Sequence, residues 1–176
     1  MTNRTEAEIR AALVAEARTW VGTPYQPYGR RKGVEADCVF HHQVSRIVFG
    51  GGPDIPKRYS QMPSQRALEK AADASLILIA CAEASPISFS ALKPGQLALF
   101  VGRNPDEPQH FGMLAEYPKN PAWFSMIHAM GSEASGGEVV ETIAVTPQSW
   151  GRFGEIRSMK RRLWKLYDFP GVTDGY

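Results

Sequence analysis

The feature that most constrains this chain is the change of period at Pro86. Before it, apolar residues recur at helical intervals of three and four. After it, they alternate in short runs separated by turn-forming residues. Leu92-Lys93-Pro94-Gly95 reads as a turn into a strand over Gln96 to Val101. Further strands are expected at His110 to Glu116, Trp123 to Ala129, Glu138 to Ala144 and Met159 to Tyr167. Helices first and strands later predict an α+β fold with an antiparallel sheet. At 176 residues the chain is long enough to bury a core as a single domain over 1–176, without metal or disulfide staples.

The first half carries the helix signals. Thr5-Glu6-Ala7-Glu8 has capping-box spacing and opens a helix whose Ile9, Leu13, Ala17 and Trp20 should be buried, with Gly22-Thr23-Pro24-Tyr25 ending it. A second helix is expected from Cys38 to about Phe49, stopped by Gly50-Gly51-Gly52. Ile55 to Gln61 reads as an extended connector. Ser64 caps a third helix through about Ala72. From Leu76 to Glu83, helix and strand read equally well. Cys81, inside that apolar run, is expected to be core packing.

Composition narrows the function. A net charge of +2 is no footprint for nucleic acid, and the basic runs Arg30-Arg31-Lys32 and Lys160-Arg161-Arg162 are expected on loops and strand ends. The 2 cysteines form neither a disulfide framework nor a short-spaced metal motif. There is no signal-peptide pattern and no run of membrane-spanning length, so synthesis in the cytoplasm and no membrane partner are expected.

Chemistry concentrates at Asp37-Cys38. Asp37 is a favourable N-cap, and the positive end of a helix stabilises a thiolate, which makes Cys38 a candidate nucleophile. Two histidines supply the rest. His110-Phe111-Gly112-Met113-Leu114 and Phe124-Ser125-Met126-Ile127-His128 flank the turn sequence Pro118-Lys119-Asn120-Pro121. A hairpin centred on Lys119 places His110 directly opposite His128, with Cβ atoms roughly 5 Å apart on one face, and pairs Leu114 with Phe124 and Phe111 with Ile127. If the Cys38 helix packs on this hairpin, then nucleophile, base and base-orienter are all present. His41 and His42 lie too close to Cys38 along its own helix to act as its base. One is expected buried and the other exposed.

In this order, the motifs resemble the NlpC-type family of papain-like cysteine peptidases, the bacterial and phage cell-wall endopeptidases. Gly22-Thr23-Pro24-Tyr25 is similar to the family's opening segment, Asp37-Cys38 to its nucleophile, Ile55-Pro56 and Tyr59-Ser60-Gln61 to its connector, and Leu92 to Phe100 to its strand lead-in. His110 to Leu114 resembles the base-bearing strand, and Ile127-His128-Ala129 the strand with the third catalytic residue. The resemblance implies a small antiparallel sheet against helices, with no cofactor and no metal. It also implies hydrolysis of peptidoglycan stem peptides at the bond from the D-glutamate γ-carboxyl to a diamino acid. Cys38 would attack, His110 would move the proton, and His128 would hold His110. The Cys38 backbone N–H, with Tyr25 nearby, would face the oxyanion.

The chain departs from that pattern after the nucleophile. Val39 and Phe40 stand where the family has a small polar residue and glycine, so Asp37 keeps one substrate-binding group and Val39 replaces a hydroxyl with an apolar wall on the cleft floor. Members without a secretion signal resemble peptidases carried on phage tails or prophage particles, which implies particle proteins as partners and action at the cell wall after delivery. Two rival readings remain. One is an amidase or acyltransferase using the same thioester; the other is an inactive structural tail component.

Overall fold

A computed structural model describes residues 4–51, 66–101, 107–132, 136–147, 155–156 and 161–172. The expected connector and the Ser64 cap lie outside these residues. In chain order the elements are α1 (Glu6–Arg18), β1 (Arg30–Arg31), β2 (Glu35–Ala36), α2 (His41–Phe49), α3 (Ala67–Ser75), β3 (Ile77–Cys81), β4 (Leu97–Val101), β5 (Pro108–Tyr117), β6 (Asn120–Ser132), β7 (Gly136–Val145), β8 (Glu155–Ile156) and β9 (Arg161–Asp168). The main sheet runs β3-β9-β4-β5-β6-β7, with β8 on β9, and every pairing within it is antiparallel. The α+β expectation therefore holds. No helix among the described residues is long and apolar enough to cross a membrane.

The α1 helix forms as its sequence asks. Thr5 and Glu8 complete a reciprocal capping box, and Ile9, Leu13 and Ala17 are buried. With Trp20, Phe40 and Val44 they meet one face of the sheet through Phe111, Met113, Ile127 and Tyr167. Arg10 locks the helix to β9, donating to both carboxylate oxygens of Asp168 at 2.8 Å. The other face carries a smaller core of Phe100, Leu114, Met126, Leu163 and Leu166.

Three expectations need correction. The second helix starts at His41, because Cys38, Val39 and Phe40 form a tight turn ahead of it, with the Phe40 N–H donating to the Asp37 carbonyl. Its end is as expected, with Gly50 at φ 68°, a conformation glycine adopts without strain. Leu76 to Glu83 resolves into the strand Ile77–Cys81, but the run is no core. It lies at the sheet edge with Leu78 48% exposed, and Cys81 is only half-buried. An apolar run records preference for burial, and an edge position withholds the neighbour that would provide it. His41 and His42 are both buried, because the short α2 is covered on two sides, by the sheet and by Phe169.

Candidate active site

The histidines come together, but in a different register from the symmetric hairpin. Met113 pairs with Ile127 and Leu114 with Met126, so the alignment is displaced by two residues from the one that puts His110 opposite His128. The cause is at the turn, where Tyr117 pairs with Asn120 and a register shift follows Glu116. An even displacement keeps side chains on their face. His110 and His128 become diagonal neighbours, still on the side of Leu114 and Met126. Their rings meet edge to face, with centroids 5.0 Å apart and His110 Nε2 2.7 Å from His128 Nδ1. His128 is wholly buried and His110 nearly so.

The pair is the start of a chain. His128 Nε2 lies 2.7 Å from the Oγ1 of Thr142 on β7. Met126 pairs with Thr142 and His128 with Val140, so Thr142 is again a diagonal, same-face neighbour. Sequence reasoning missed it. Glu138 to Ala144 reads as a strand, but the register of that strand on β6 carries no local signal.

The second group surrounds Cys38. Segment 22–25 lies along β7, with the Gly22 N–H donating to Val139 and the Tyr25 N–H to Gly137. The Ala36 N–H then donates to Pro24 at 2.8 Å, which delivers Asp37 and Cys38 beside this edge. Tyr25 lies against Gly131, where any Cβ would stand 2.8 Å from its ring. Asp37 is buried and its carboxylate holds the turn together, accepting from the Tyr28 N–H at 2.7 Å and the Val39 N–H at 2.9 Å. The capping role read for Asp37 is therefore carried out in a turn that precedes the helix. Cys38 is half-buried against the helix-side core. Val39 is fully buried within that core, so its side chain packs against apolar neighbours and forms no cleft floor.

The structure does not bring these two groups together on one face: Cys38 packs on the helix-side core, His110 and His128 stand on the other side of the sheet, and His41 touches only the backbone between them. His41 Nδ1 is 3.1 Å from the Cys38 carbonyl oxygen, and its Nε2 is 2.9 Å from that of Ile127, the residue before His128. Ile127 turns its side chain to the helix-side core, so strand alternation turns His128 to the opposite face. Burial lowers the His41 pKa to about 4, against the pull of the two carbonyls, and keeps the ring neutral at neutral pH.

The described residues contain no cluster of three or more His, Cys, Asp or Glu arranged to hold a metal ion. No protein-family model matches this chain, and no curated protein matches it.

Proposed function

We propose that this chain is a papain-like cysteine peptidase that hydrolyses amide bonds in peptidoglycan stem peptides, with Cys38 as nucleophile, His110 as base and His128 as the residue orienting the base. The observation that carries the reading is the buried 2.7 Å contact between His110 Nε2 and His128 Nδ1, continued to Thr142 at 2.7 Å. A base needs a lone pair on the atom facing its nucleophile and a partner fixing the rest of the ring. With His110 Nε2–H donating to His128 and His128 Nε2–H donating to Thr142, the lone pair of His110 is on Nδ1. Cys38 packs on the helix-side core and the histidines stand on the other face of the sheet, so the proposed reaction requires the thiol to reach that Nδ1 across the sheet, give up its proton there and attack the carbonyl carbon. The imidazolium then protonates the departing amine, and water resolves the thioester. The Cys38 backbone N–H, with Tyr25 nearby, would face the oxyanion, since the Val39 and Phe40 amides are already given to Asp37. Asp37, committed to the Tyr28 and Val39 amides, shapes that turn.

The substrate class comes from the family resemblance and not from the geometry. Its test is mass spectrometry of purified peptidoglycan incubated with the protein and with Cys38→Ala. The wild type should release fragments cut between D-glutamate and the diamino acid, and the variant none. Fragments cut elsewhere would replace the substrate assignment, and an inert wild type would end the peptidase reading.

A further inference from the structure

We infer that His41 is a positioning residue for the nucleophile: its buried ring spans the carbonyls of Cys38 and Ile127 and sets the Cys38 turn against the strand that bears His128. The inference rests on the reading of Cys38 as nucleophile. The sequence suggested no role for this histidine, and the family resemblance assigns it none.

Three observations carry it. First, the ring addresses both sides of the junction, at 3.1 Å on the turn and 2.9 Å on β6. Backbone donors of the turn serve other carbonyls, Phe40 giving its N–H to Asp37 and His42 to Val39, so the Cys38 carbonyl is addressed from the side by the ring. Second, His41 is 0% exposed and lies on the Phe40 ring at 4.0 Å between centroids, so it has no room to move away. Third, the ring is neutral at neutral pH. A neutral imidazole has one N–H, so it donates to one of the two carbonyls at a time while the lone pair of its other nitrogen faces the second without a bond. An ordinary buried apolar residue would fill this volume at lower cost, since a buried polar ring is expensive unless its bonds are made.

The orientation of the Cys38 peptide decides where its N–H and its thiol point. Small displacements of a reacting group cost rate heavily, on the order of 100-fold for about 1 Å. The experiment compares wild type with His41→Leu, His41→Asn and Val44→Ala. His41→Leu keeps the volume and loses both contacts. His41→Asn keeps a short donor for the Cys38 carbonyl three residues back and cannot reach Ile127. Val44→Ala is the control, since it weakens the same helix from a fully buried position and leaves the His41 ring and both carbonyls in place. Each is assayed for kcat and KM on a defined stem tripeptide, for thermal midpoint, and for the pH dependence of Cys38 alkylation by iodoacetamide.

His41→Leu should lower kcat about 10- to 100-fold with KM within about twofold, and should move the thiol titration towards that of an ordinary cysteine. His41→Asn should recover part of both. Val44→Ala, at a similar loss in midpoint, should leave the titration in place. If His41→Leu matches Val44→Ala in kcat and titration, His41 is packing and the inference falls while the peptidase reading stands. If the wild type neither cleaves nor shows a lowered thiol titration, the underlying reading falls instead.

Discussion

Two buried polar systems lie in different halves of the same sheet, and they are built on opposite terms. Around β9, charge is balanced by charge. Glu69 accepts from Arg66, from the Trp164 indole at 2.8 Å and from Lys165 at 2.9 Å; Lys165 also reaches Asp73 at 2.8 Å, and the Tyr167 hydroxyl donates to Asp73 at 2.7 Å. Burial alone would raise the Glu69 carboxyl, but hydrogen bonds from Arg66, Trp164 and Lys165 outweigh it and hold the pKa at about 2. Lys165, which burial would lower, is pushed up by Asp73 and Glu69. Burial and Asp73 push Tyr167 up as well. Glu69 is held ionised and Lys165 and Tyr167 protonated, which suits a brace between α3 and β9 and does not suit a proton carrier.

The β5–β6–β7 half contains His110, His128 and Thr142, whose contacts run from imidazole to imidazole to hydroxyl. Imidazoles and a hydroxyl can each donate or accept, so a proton can shift along the chain without burying a new unpaired charge. Bond length does not separate the brace from the proposed catalytic chain, since both systems have contacts of 2.7 Å. What separates them is whether the partners allow protonation to change.

The largest effect should come from substituting one member of each system. His110→Ala should abolish turnover, a loss of about 10⁴-fold or more, and His128→Ala should leave measurable activity because it removes orientation and no proton acceptor. Lys165→Met should do the reverse, lowering stability by about 3 kcal/mol in urea denaturation through the uncompensated carboxylates, with kcat retained in the folded protein. A loss of kcat in Lys165→Met at temperatures where it is folded would erase the distinction.

Acid should separate the halves next. His41 has its native pKa lowered from 6.5 to about 4, so its contribution is complete above pH 6.5 and is lost as the pH falls towards 4, amounting to roughly 3 kcal/mol. Glu69, lowered from 4.5 to about 2, contributes fully above pH 4.5 and loses its share as the pH falls through 2. Urea midpoints measured against pH should therefore decline in two stages. His41→Leu should shrink the upper stage and Glu69→Gln the lower. A single stage unaffected by His41→Leu would show that the ring titrates normally.

Local chemistry was legible where it sufficed. Thr5 and Glu8 announced α1, Gly50 its neighbour's end, and alternation after Pro86 the strands of the sheet. The shared face of His110 and His128 was legible because face depends only on parity, which a two-residue displacement preserves. Register was not, because the irregularity at Tyr117 is a backbone event that Pro118 and Asn120 permit without specifying. The helix start was misplaced by three residues because Asp37 serves a turn as readily as a helix. The burial of His41 and Val39 depended on what packs above them, and neighbours distant in sequence decide that.

The smallest effect tests the far end of the histidine chain. Thr142 is half-exposed and lines an open depression of about 380 Å³ with Tyr117, Ser125 and Glu141, so a valine of nearly the same shape fits there without strain. Thr142→Val removes the hydroxyl 2.7 Å from His128 Nε2 and nothing else. If that N–H donates to Thr142, its loss leaves His128 free to turn over or change tautomer, and His110 loses a fixed acceptor for Nε2–H. Water entering from the depression replaces part of the bond, which limits the cost to about 1 kcal/mol. Turnover should therefore fall about fivefold, with KM and the thermal midpoint nearly unchanged. Thr142→Ser, which keeps the hydroxyl, should restore most of the rate. Equal rates in wild type and Thr142→Val would end the chain at His128, making the β7 contact structural and leaving two histidines to do what three residues are asked to do here.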